Sequence, residues 1–354
     1  MNDRSRVAHE DAAITARELG FRYVTELDDP NPLWNKLGTN TAQRDPFCCL
    51  PAWQLAFNES RDPQSQIFIR QSSDSLIAFS QKSIYPRVRR PHDHYLKSIE
   101  HSWCFGSNVL GPNGAQLLHD SLIDLEQLYW RGLPPIMVSG IAPQGATYKA
   151  LKKYFSKNFT FHRYRSDTQC GASLKGGLDG YYSRRSANHR KKTRQQLRRA
   201  REAGVVYERH CPRSIEGADE IYNRMLAVEL ASWKGIHDCG MAEPISKFFY
   251  DAMLKRLVGS GDARIIMAMH EGKDIGFIFG SMAGQIYRGQ QFSFDDSWSH
   301  ASIGNVLQAE QIKWLCEEGA IRYDMGPRFG PAMDYKKHWT ERLYHIQTWF
   351  LVKR

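Results

Sequence analysis

The stretch from Phe294 to Gly326, FDDSWSHASIGNVLQAEQIKWLCEEGAIRYDMG, decides the fold of this chain. It begins at the end of an apolar strand and passes through a polar turn that contains one glycine, Gly304. Apolar residues then recur at helical spacing over 305–318, and the last six residues have the pattern of a short strand. The stretch therefore predicts a helix that begins beside the end of one strand and leads into another.

Three strand patterns lead into this stretch, at 263–269, 274–283 and 285–294. The connections between them are short enough for hairpins, so we predict an antiparallel meander. Two helix patterns, GADEIYNRMLAVELASW and PISKFFYDAMLKRLV, come before the meander. Because a helix separates the third strand from the strand IRYDMG, we expect these two strands to be parallel.

The first half of the chain has a similar order of patterns. We predict a helix at 11–19, a strand at 21–26, a hairpin from SQIFIRQ and SLIAFSQKSIY, and a Leu-rich helix at 115–130. A buried strand, PPIMVSGI, and a further helix and strand complete this half. With 354 residues, of which 42% are hydrophobic, the chain is long enough for two packed domains.

The composition excludes several classes of protein. The hydrophobic content excludes general disorder, and no apolar run approaches the roughly 18–20 residues that cross a bilayer. The first residues, MNDRSRVAHEDAAITARELG, lack the apolar core of a signal peptide. Seven scattered cysteines indicate reduced thiols, and neither they nor His300, His338 and His345 have metal-ligand spacing. We therefore predict a cytoplasmic protein without a metal site.

The net charge of +10 is concentrated in one segment, RRSANHRKKTRQQLRRAR, at 184–201. It contains nine Lys or Arg residues and no acid, and it is predicted to be helical because glycine and proline are absent until Gly204. Arg194 and Arg198 lie on one stripe of this helix. Such a stripe is typical of a surface that binds nucleic acid, a phosphorylated cofactor or a membrane, and equally of a solvated helix face.

The order of two helices, three antiparallel strands, a helix and a strand is that of the GNAT acyltransferase fold. The second half resembles the GNAT-like proteins grouped with the FemABX peptidyltransferases and the acetyltransferase-like domains of polysaccharide-biosynthesis proteins. The resemblance rests on RRSANHRKKTRQQLRRAREAG, ELASWKG, HEGKDIGFIFG, the opening stretch and MDYKKHW, in that order.

The resemblance implies an α/β (α+β) fold with two tandem GNAT-like lobes, each a mixed, mainly antiparallel sheet flanked by helices. We expect a degenerate N-terminal lobe at 1–176, a basic linking helix at 177–204 and a C-terminal acyltransferase lobe at 205–354. If the first half is a degenerate copy, its helix at 115–130 takes the place that the helix at 305–318 has in the second half.

The resemblance also implies an enzyme that joins an acyl group to an amine. The usual GNAT pyrophosphate loop, Arg/Gln-x-x-Gly-x-Gly/Ala, is replaced here by SHASIGN. The expected donor is acyl-CoA, and the alternative is aminoacyl-tRNA, which FemABX-like proteins use. A helix N-terminus presents free amides to an anion, so we expect the donor to bind at the turn. The basic stripe is included in the predicted donor site. The residues of this predicted donor site are Ile303, Gly304, Asn305, Val306, Arg194 and Arg198.

The chemistry of amide formation indicates further residues. Acyl transfer needs a deprotonated amine and a stabilised oxyanion. Lys336 of DYKKH matches a lysine that lies by the ester end of the donor in FemABX proteins. Asp295 or Asp296 would orient or deprotonate the amine, and Trp233 and Tyr335 are expected to line the acceptor pocket.

Each assignment has a structural alternative. Lys336 is equally consistent with a solvated lysine, the aspartate pair with a helix N-cap, and Trp233 with core packing. The turn at 301–306 is equally consistent with a simple reversal of the chain.

A third hypothesis is a nucleic-acid-binding protein on an inactive GNAT scaffold. It needs aromatic side chains near the basic stripe that contact bases, and Tyr181, Tyr182 and His189 are the candidates. For the enzyme, the expected partners are a small-molecule amine and, with the alternative donor, tRNA. The sequence leaves the acyl chain, the acceptor and the oligomeric state open.

Overall fold

The computed structural model describes residues 22–24, 32–82, 95–127, 132–330 and 333–354. The chain divides into two compact units: unit 1 comprises Met1–Asp167 and His345–Arg354, and unit 2 comprises Thr168–Tyr344. The three-part domain division predicted from the sequence stays a prediction. The helix predicted at 11–19 lies outside the described residues.

Unit 1 consists of short strands flanked by helices. Its elements in chain order are β1 (Arg22–Val24), α1 (Pro32–Thr39), the 3-10 helix Phe47–Cys49, α2 (Pro51–Arg61), β2 (Ser65–Gln71), β3 (Leu76–Lys82), β4 (Val109–Leu110), α3 (Gly114–Asp120), α4 (Leu122–Gln127), β5 (Ile136–Ile141), α5 (Ala146–Phe155) and the first part of β6 (Phe159–Ser173). The strands β1 to β4 pair antiparallel in sequence order. Leu96 forms a parallel bridge to Ile136 of β5, and Lys97 an antiparallel bridge to Ser80 of β3.

Unit 2 contains the stretch that opened the sequence analysis. Its elements are the last part of β6, α6 (Gly177–Ser183), α7 (Ala187–Glu202), β7 (Val206–His210), α8 (Ile215–Ala231), α9 (Trp233–Ile236), the 3-10 helix Gly240–Ala242, α10 (Pro244–Leu257), β8 (Ala263–His270), β9 (Lys273–Ala283), β10 (Ile286–Phe294), the 3-10 helix Asp296–Ala301, α11 (Ile303–Glu317), β11 (Arg322–Pro327), α12 (Lys336–Trp339) and the first part of β12 (Arg342–Lys353). The strand order is β6-β11-β10-β9-β8-β7.

The predicted meander and its parallel neighbour are confirmed. The strands β8, β9 and β10 pair antiparallel, and β11 pairs parallel to β10. Two-residue connections join β8 to β9 and β9 to β10. In the first, Glu271 and Gly272 both have positive φ, 48° and 76°, as a type I′ hairpin turn requires. The fold class predicted from the sequence, with mixed, mainly antiparallel sheets flanked by helices, is confirmed.

The helix α11 is buried on two sides and organises the core of unit 2. Ile303, Val306 and Leu307 belong to a cluster with side chains of β8, β9 and α7. Ile312 and Leu315 belong to a second cluster that includes side chains of β6, β10 and β11. Because apolar side chains cover both faces, this helix holds the meander and the strand β11 in place.

The Leu-rich helix predicted at 115–130 differs from the structure. Up to Gln127 two helices, α3 and α4, replace it and are separated at Ser121, and positions 128–130 of the prediction lie outside the described residues. The Ser121 hydroxyl donates to the carbonyl of Leu117 at 2.6 Å, and the Ser121 amide is shared between the carbonyls of Leu117 and Leu118. A serine that bonds to the preceding turn in this way bends a helix, and the apolar spacing does not reveal it.

Each unit is completed by a strand from the other half of the sequence. Both halves have the order strand, helices, three strands, helix, strand, helix, strand, which begins at β1 and again at β7. The last strand of the first half, β6, pairs with β11 in unit 2 through residues 169–173. The last strand of the second half, β12, pairs with β5 in unit 1 through residues 347–351. The correspondence of α3 and α4 with α11 stays a prediction.

Because β12 pairs with β5, we predict that a change in the C-terminal part of β12 weakens unit 1 and leaves unit 2 intact. Leu351 is fully buried in the core of unit 1, so Leu351→Ala is expected to lower the free energy of unfolding of that unit by about 2–5 kcal/mol. Leu343, at the other end of the strand, is 55% exposed, and Leu343→Ala is expected to change stability by less than about 0.5 kcal/mol. Native-state hydrogen exchange read by mass spectrometry should show faster exchange in β5 and unchanged exchange in β9 for Leu351→Ala alone. Equally faster hydrogen exchange in β9 would contradict the assignment of the C-terminal part of β12 to unit 1.

Candidate active site

The strands β10 and β11 separate halfway along their length. Their registered pairs are Ile286 with Arg322, Tyr287 with Tyr323 and Arg288 with Asp324. Beyond these pairs β10 continues to Phe294 and β11 to Pro327. Irregularities in register at 289–291 and at 324–326 accompany the separation. A cleft therefore opens between two parallel strands of one sheet.

Arg288 and Gly326 occupy the point where the strands separate. Arg288 is buried, and its Nη1 donates to the carbonyl of Gly289 at 2.6 Å. Gly326 has a φ of 70°, and a Cβ atom there would lie 2.3 Å from Nη1 of Arg288. Only glycine satisfies both the backbone conformation and the close approach of the guanidinium group. The buried guanidinium group thus packs against the backbone of β11 just beyond the last registered pair.

A pocket of about 520 Å³ lies in this cleft. Side chains from α9, the separated part of β10, β11, α11 and the segment around α12 line it. The lining residues are Trp233, Lys234, Gly240, Ile278, Phe279, Gly289, Gln290, Gln291, Phe292, Ser293, Phe294, Gln308, Tyr323, Met325, Met333, Tyr335 and Lys336. The volume is in the range of sites for small organic ligands.

Lys336 lines the pocket and is 6% exposed. Its ammonium group donates to the carbonyl of Pro327, at the end of β11. Burial, and secondarily the charge of Arg288, lower the pKa of Lys336 from 10.5 to about 7. Both the neutral amine and the ammonium are therefore populated near pH 7, which suits a group that accepts and returns a proton.

Lys234 is a second buried amine in the pocket, and the sequence analysis did not identify it. Its Nζ donates to Oε1 of Gln291 at 3.0 Å and to the carbonyl of Phe292 at 2.9 Å. Oε1 of the fully buried Glu229 lies 3.6 Å away. Burial lowers the pKa of Lys234, and the charge of Glu229 opposes this shift. The available signal was an acid in the apolar stripe of α8, four residues after Met225.

The structure brings three of the predicted site residues together. Trp233, Tyr335 and Lys336 all line the pocket. The Tyr335 ring lies edge-on to Phe292 of β10, with 5.7 Å between ring centroids. Trp233 is 50% exposed, so its indole lies between the pocket and solvent. Core packing is therefore not the role of Trp233.

The predicted donor turn at 301–306 does not line the pocket. The amides of Asn305 and Val306 donate to the carbonyl of Ser302 at 3.0 and 3.2 Å, so both are used within the first turn of α11. Ile303 is buried in the core. A Cβ atom at Gly304 would lie 2.9 Å from the Phe292 ring, so the glycine is needed for packing against β10 rather than for a ligand. The physical reason is that aromatic side chains of β10 fill the space in front of the helix N-terminus.

The predicted catalytic aspartates are also outside the pocket lining. Asp295 accepts from the amide and hydroxyl of Ser297 and from Lys273, as the N-cap of the 3-10 helix Asp296–Ala301. These hydrogen bonds, with that of the Ser297 hydroxyl foremost, lower the pKa of the Asp295 carboxyl. Asp296 is exposed to solvent. We therefore assign no step of a reaction to either residue.

Arg194 and Arg198 lie on the solvent-exposed face of α7. Arg198 pairs with Glu202 at 3.7 Å, and Nε of Arg194 donates to the carbonyl of Arg190 at 3.4 Å. Thr193, Gln196 and Ala200 form the buried side of the helix. The basic stripe is thus available to a large polyanion and does not line the pocket.

The aromatic candidates for contacts to bases are less accessible. Tyr181 is fully buried and donates to the carbonyl of Trp339 at 3.0 Å. Tyr182 packs edge-on against Tyr181, and the His189 ring packs edge-on against Trp339. These rings therefore stabilise the contact between α6, α7 and α12 within unit 2.

The described part of the chain shows no group of three or more His, Cys, Asp or Glu residues that could hold a metal ion. All seven cysteines are free thiols. Among the helices that the structure describes, none combines the length and the apolar character needed to cross a bilayer.

Part of the second half of the chain is similar to a known protein family. Residues 187–337 match a family model described as an acetyltransferase (GNAT) domain. The matched region runs from α7 into α12 and contains every residue that lines the pocket. No curated protein matches the chain in sequence. The predicted resemblance to the GNAT acyltransferases is confirmed, as is the prediction of an enzyme of the acyltransferase class.

Solved structures share the fold over nearly the whole chain. FemX is 12% identical with a TM-score of 0.62, over 89% of this chain and 94% of that one. A conserved protein of unknown function from Bacteroides thetaiotaomicron VPI-5482 is 11% identical with a TM-score of 0.60, over 93% and 98%. L-PGS from Bacillus licheniformis is 12% identical with a TM-score of 0.53, over 92% of both chains. At these identities the likeness shows the fold alone.

The low pKa of Lys336 predicts a dependence of stability on pH. An unfolded lysine keeps its proton up to a pKa of 10.5, whereas the folded Lys336 loses it above about 7. Between these values the unfolded state binds more protons, so the stability contributed by this group rises with pH. Urea unfolding should show that the free energy of unfolding of the wild type is higher at pH 9 than at pH 7. This difference should be smaller in Lys336→Met. The exposed neighbour provides the control, since Lys337→Met should keep the wild-type gain. An equal gain in all three proteins would contradict the prediction.

Proposed function

We propose that the protein is an N-acyltransferase that forms an amide bond between an acyl donor and a small-molecule amine. The observation that carries the proposal is a buried lysine of low pKa in a pocket between separated parallel strands. Separated strands leave backbone groups without partners, and such groups bind a donor chain and a developing oxyanion. The match of residues 187–337 to a GNAT domain supports the same reaction class.

Lys336 is the proposed proton carrier of this reaction. The amine nitrogen attacks the carbonyl carbon of the donor and forms the new C–N bond, while its proton passes to the neutral Nζ of Lys336. The bond from the carbonyl carbon to the leaving sulfur or oxygen then breaks, and the proton moves from Lys336 to that atom. The ammonium form, while it exists, also stabilises the negative charge on the carbonyl oxygen. A pKa of about 7 makes both directions of transfer favourable at neutral pH.

Acyl-CoA is the first proposed donor. The separated strands of one GNAT domain accommodate a linear chain, and the pocket volume is that of a small-ligand site. Aminoacyl-tRNA is the second proposed donor, because basic side chains on the exposed face of α7 can bind a polyanion. These residues are Lys191, Lys192, Arg194, Arg198, Arg199 and Arg201. The third hypothesis, nucleic-acid binding on an inactive scaffold, finds less support, because Tyr181 is fully buried.

Replacement of Lys336 tests the proposal. With a panel of acyl-CoA thioesters and primary amines, thiol release should be accompanied by an amide product in mass spectrometry. Lys336→Met is expected to lower kcat about 100-fold or more and to change the KM of the donor little, because the proton moves only in the transition state. The wild-type rate should rise as the pH passes about 7, where Lys336 becomes neutral. Lys337→Met is the matched control. Wild-type turnover by Lys336→Met would overturn the proposed role.

The basic face of α7 decides between the two donors. Arg194→Glu with Arg198→Glu should weaken the binding of tRNA at least tenfold, and wild-type binding should fall steeply with salt. The change of both Lys157 and Lys247, which are exposed, to glutamate alters the net charge equally and serves as the control. If the donor is acyl-CoA, we expect unchanged turnover in both double variants. Equal tRNA binding by the wild type and the arginine variant would show that the basic face of α7 does not bind tRNA.

A further inference from the structure

We propose that the pocket binds an extended apolar acyl group of the donor, of six or more carbons, rather than an acetyl group. This inference rests on the proposed function and adds the class of donor to it. More than half of the lining residues are apolar or aromatic, and they line the same pocket as the two lysines. They are Trp233, Ile278, Phe279, Phe292, Phe294, Tyr323, Met325, Met333 and Tyr335.

The polar groups of the pocket do not provide for a cationic ligand. Among the residues that the structure describes, no carboxylate lines the pocket, so an ammonium group has no counter-charge from them. Lys234 is neutralised by Glu229 and donates to two oxygens of β10. Gln291 donates to the Tyr250 hydroxyl at 2.7 Å, and Gln308 accepts from the Tyr323 hydroxyl. A cationic occupant would lose its hydration without a compensating charge, which disfavours such an occupant.

Two buried polar atoms of the lining lack a hydrogen-bond partner. They are Nε2 of Gln290 and Oγ of Ser293, both on the separated part of β10. Both atoms have almost no accessible surface, so they offer no hydrogen bond to a pocket occupant. The accessible lining therefore matches an apolar chain rather than a polar group.

The size and the opening of the pocket indicate the length of that chain. A volume of about 520 Å³ greatly exceeds what an acetyl group fills. The half-exposed indole of Trp233 extends the apolar lining to solvent, so a longer chain is not obstructed at the mouth. Each buried methylene contributes about 0.8 kcal/mol, so affinity is expected to rise with chain length until the pocket is full.

The test uses N-acetylcysteamine thioesters of acetate, butyrate, hexanoate and octanoate, measured by isothermal titration calorimetry without an acceptor. We expect Kd to fall about fourfold per methylene, the factor that 0.8 kcal/mol corresponds to. Trp233→Ala should weaken octanoyl binding at least tenfold and leave acetyl binding nearly unchanged. Ile236→Ala is the matched control, because Ile236 is exposed on the same helix and does not line the pocket.

Three outcomes would overturn the inference. They are a Kd that does not depend on chain length, the absence of binding at every length, and a dependence that Trp233→Ala does not alter. A parallel series of n-alkylamines tests whether the apolar chain belongs to the acceptor, and a chain-length dependence confined to the amines would also overturn the assignment to the donor. Failure of the proposed function has a different signature, because chain-length-dependent binding would persist while no amide product forms from any donor.

Discussion

The separation of two parallel strands is the constraint on which the site depends. Paired strands satisfy their backbone groups mutually, so strands that separate need other partners. Lys234 donates to the carbonyl of Phe292 on β10, and Lys336 donates to the carbonyl of Pro327 on β11. Each separated strand thus has one lysine bound to it, while Arg288 lies where the pairing ends. Lys234 and Lys336, which bind these carbonyls, also form the charged part of the pocket.

The two lysines differ in what surrounds them, and this difference separates their roles. Glu229 lies beside Lys234 and favours its charged form, so this amine is suited to hold β10 in position. Arg288 lies near Lys336 and disfavours its charged form. An amine with a cation as its neighbour and an apolar environment loses its proton readily. Burial lowers the pKa of both lysines, and the neighbouring charge opposes this shift at Lys234 and adds to it at Lys336.

The sequence predicted the elements of unit 2 because their signals are local. The meander and α11 follow from apolar periodicity and short connections, and the pairing of β10 with β11 follows from the helix between them. Lys336, Trp233 and Tyr335 line one pocket, but only the resemblance made them candidates, and their roles stay predictions. Gly304 was interpreted as a ligand contact because the sequence does not show that Phe292 and Phe294 pack against it. Glu229 in the apolar stripe of α8 was the one local signal for Lys234, whereas the pairing of β6 with β11 and of β12 with β5 is long-range and no local pattern encodes it.

The exchanged strands also have a consequence for synthesis on the ribosome. The strand β12 leaves the ribosome after all of unit 2, yet it is the strand that pairs with β5 in unit 1. Unit 1 therefore has an incomplete sheet throughout the translation of the second half, with the edge of β5 unpaired. Such an edge is a site of aggregation, and domains that fold one after another avoid it. In this protein a strand that follows unit 2 in the sequence completes unit 1, so neither half reaches its final structure independently of the other.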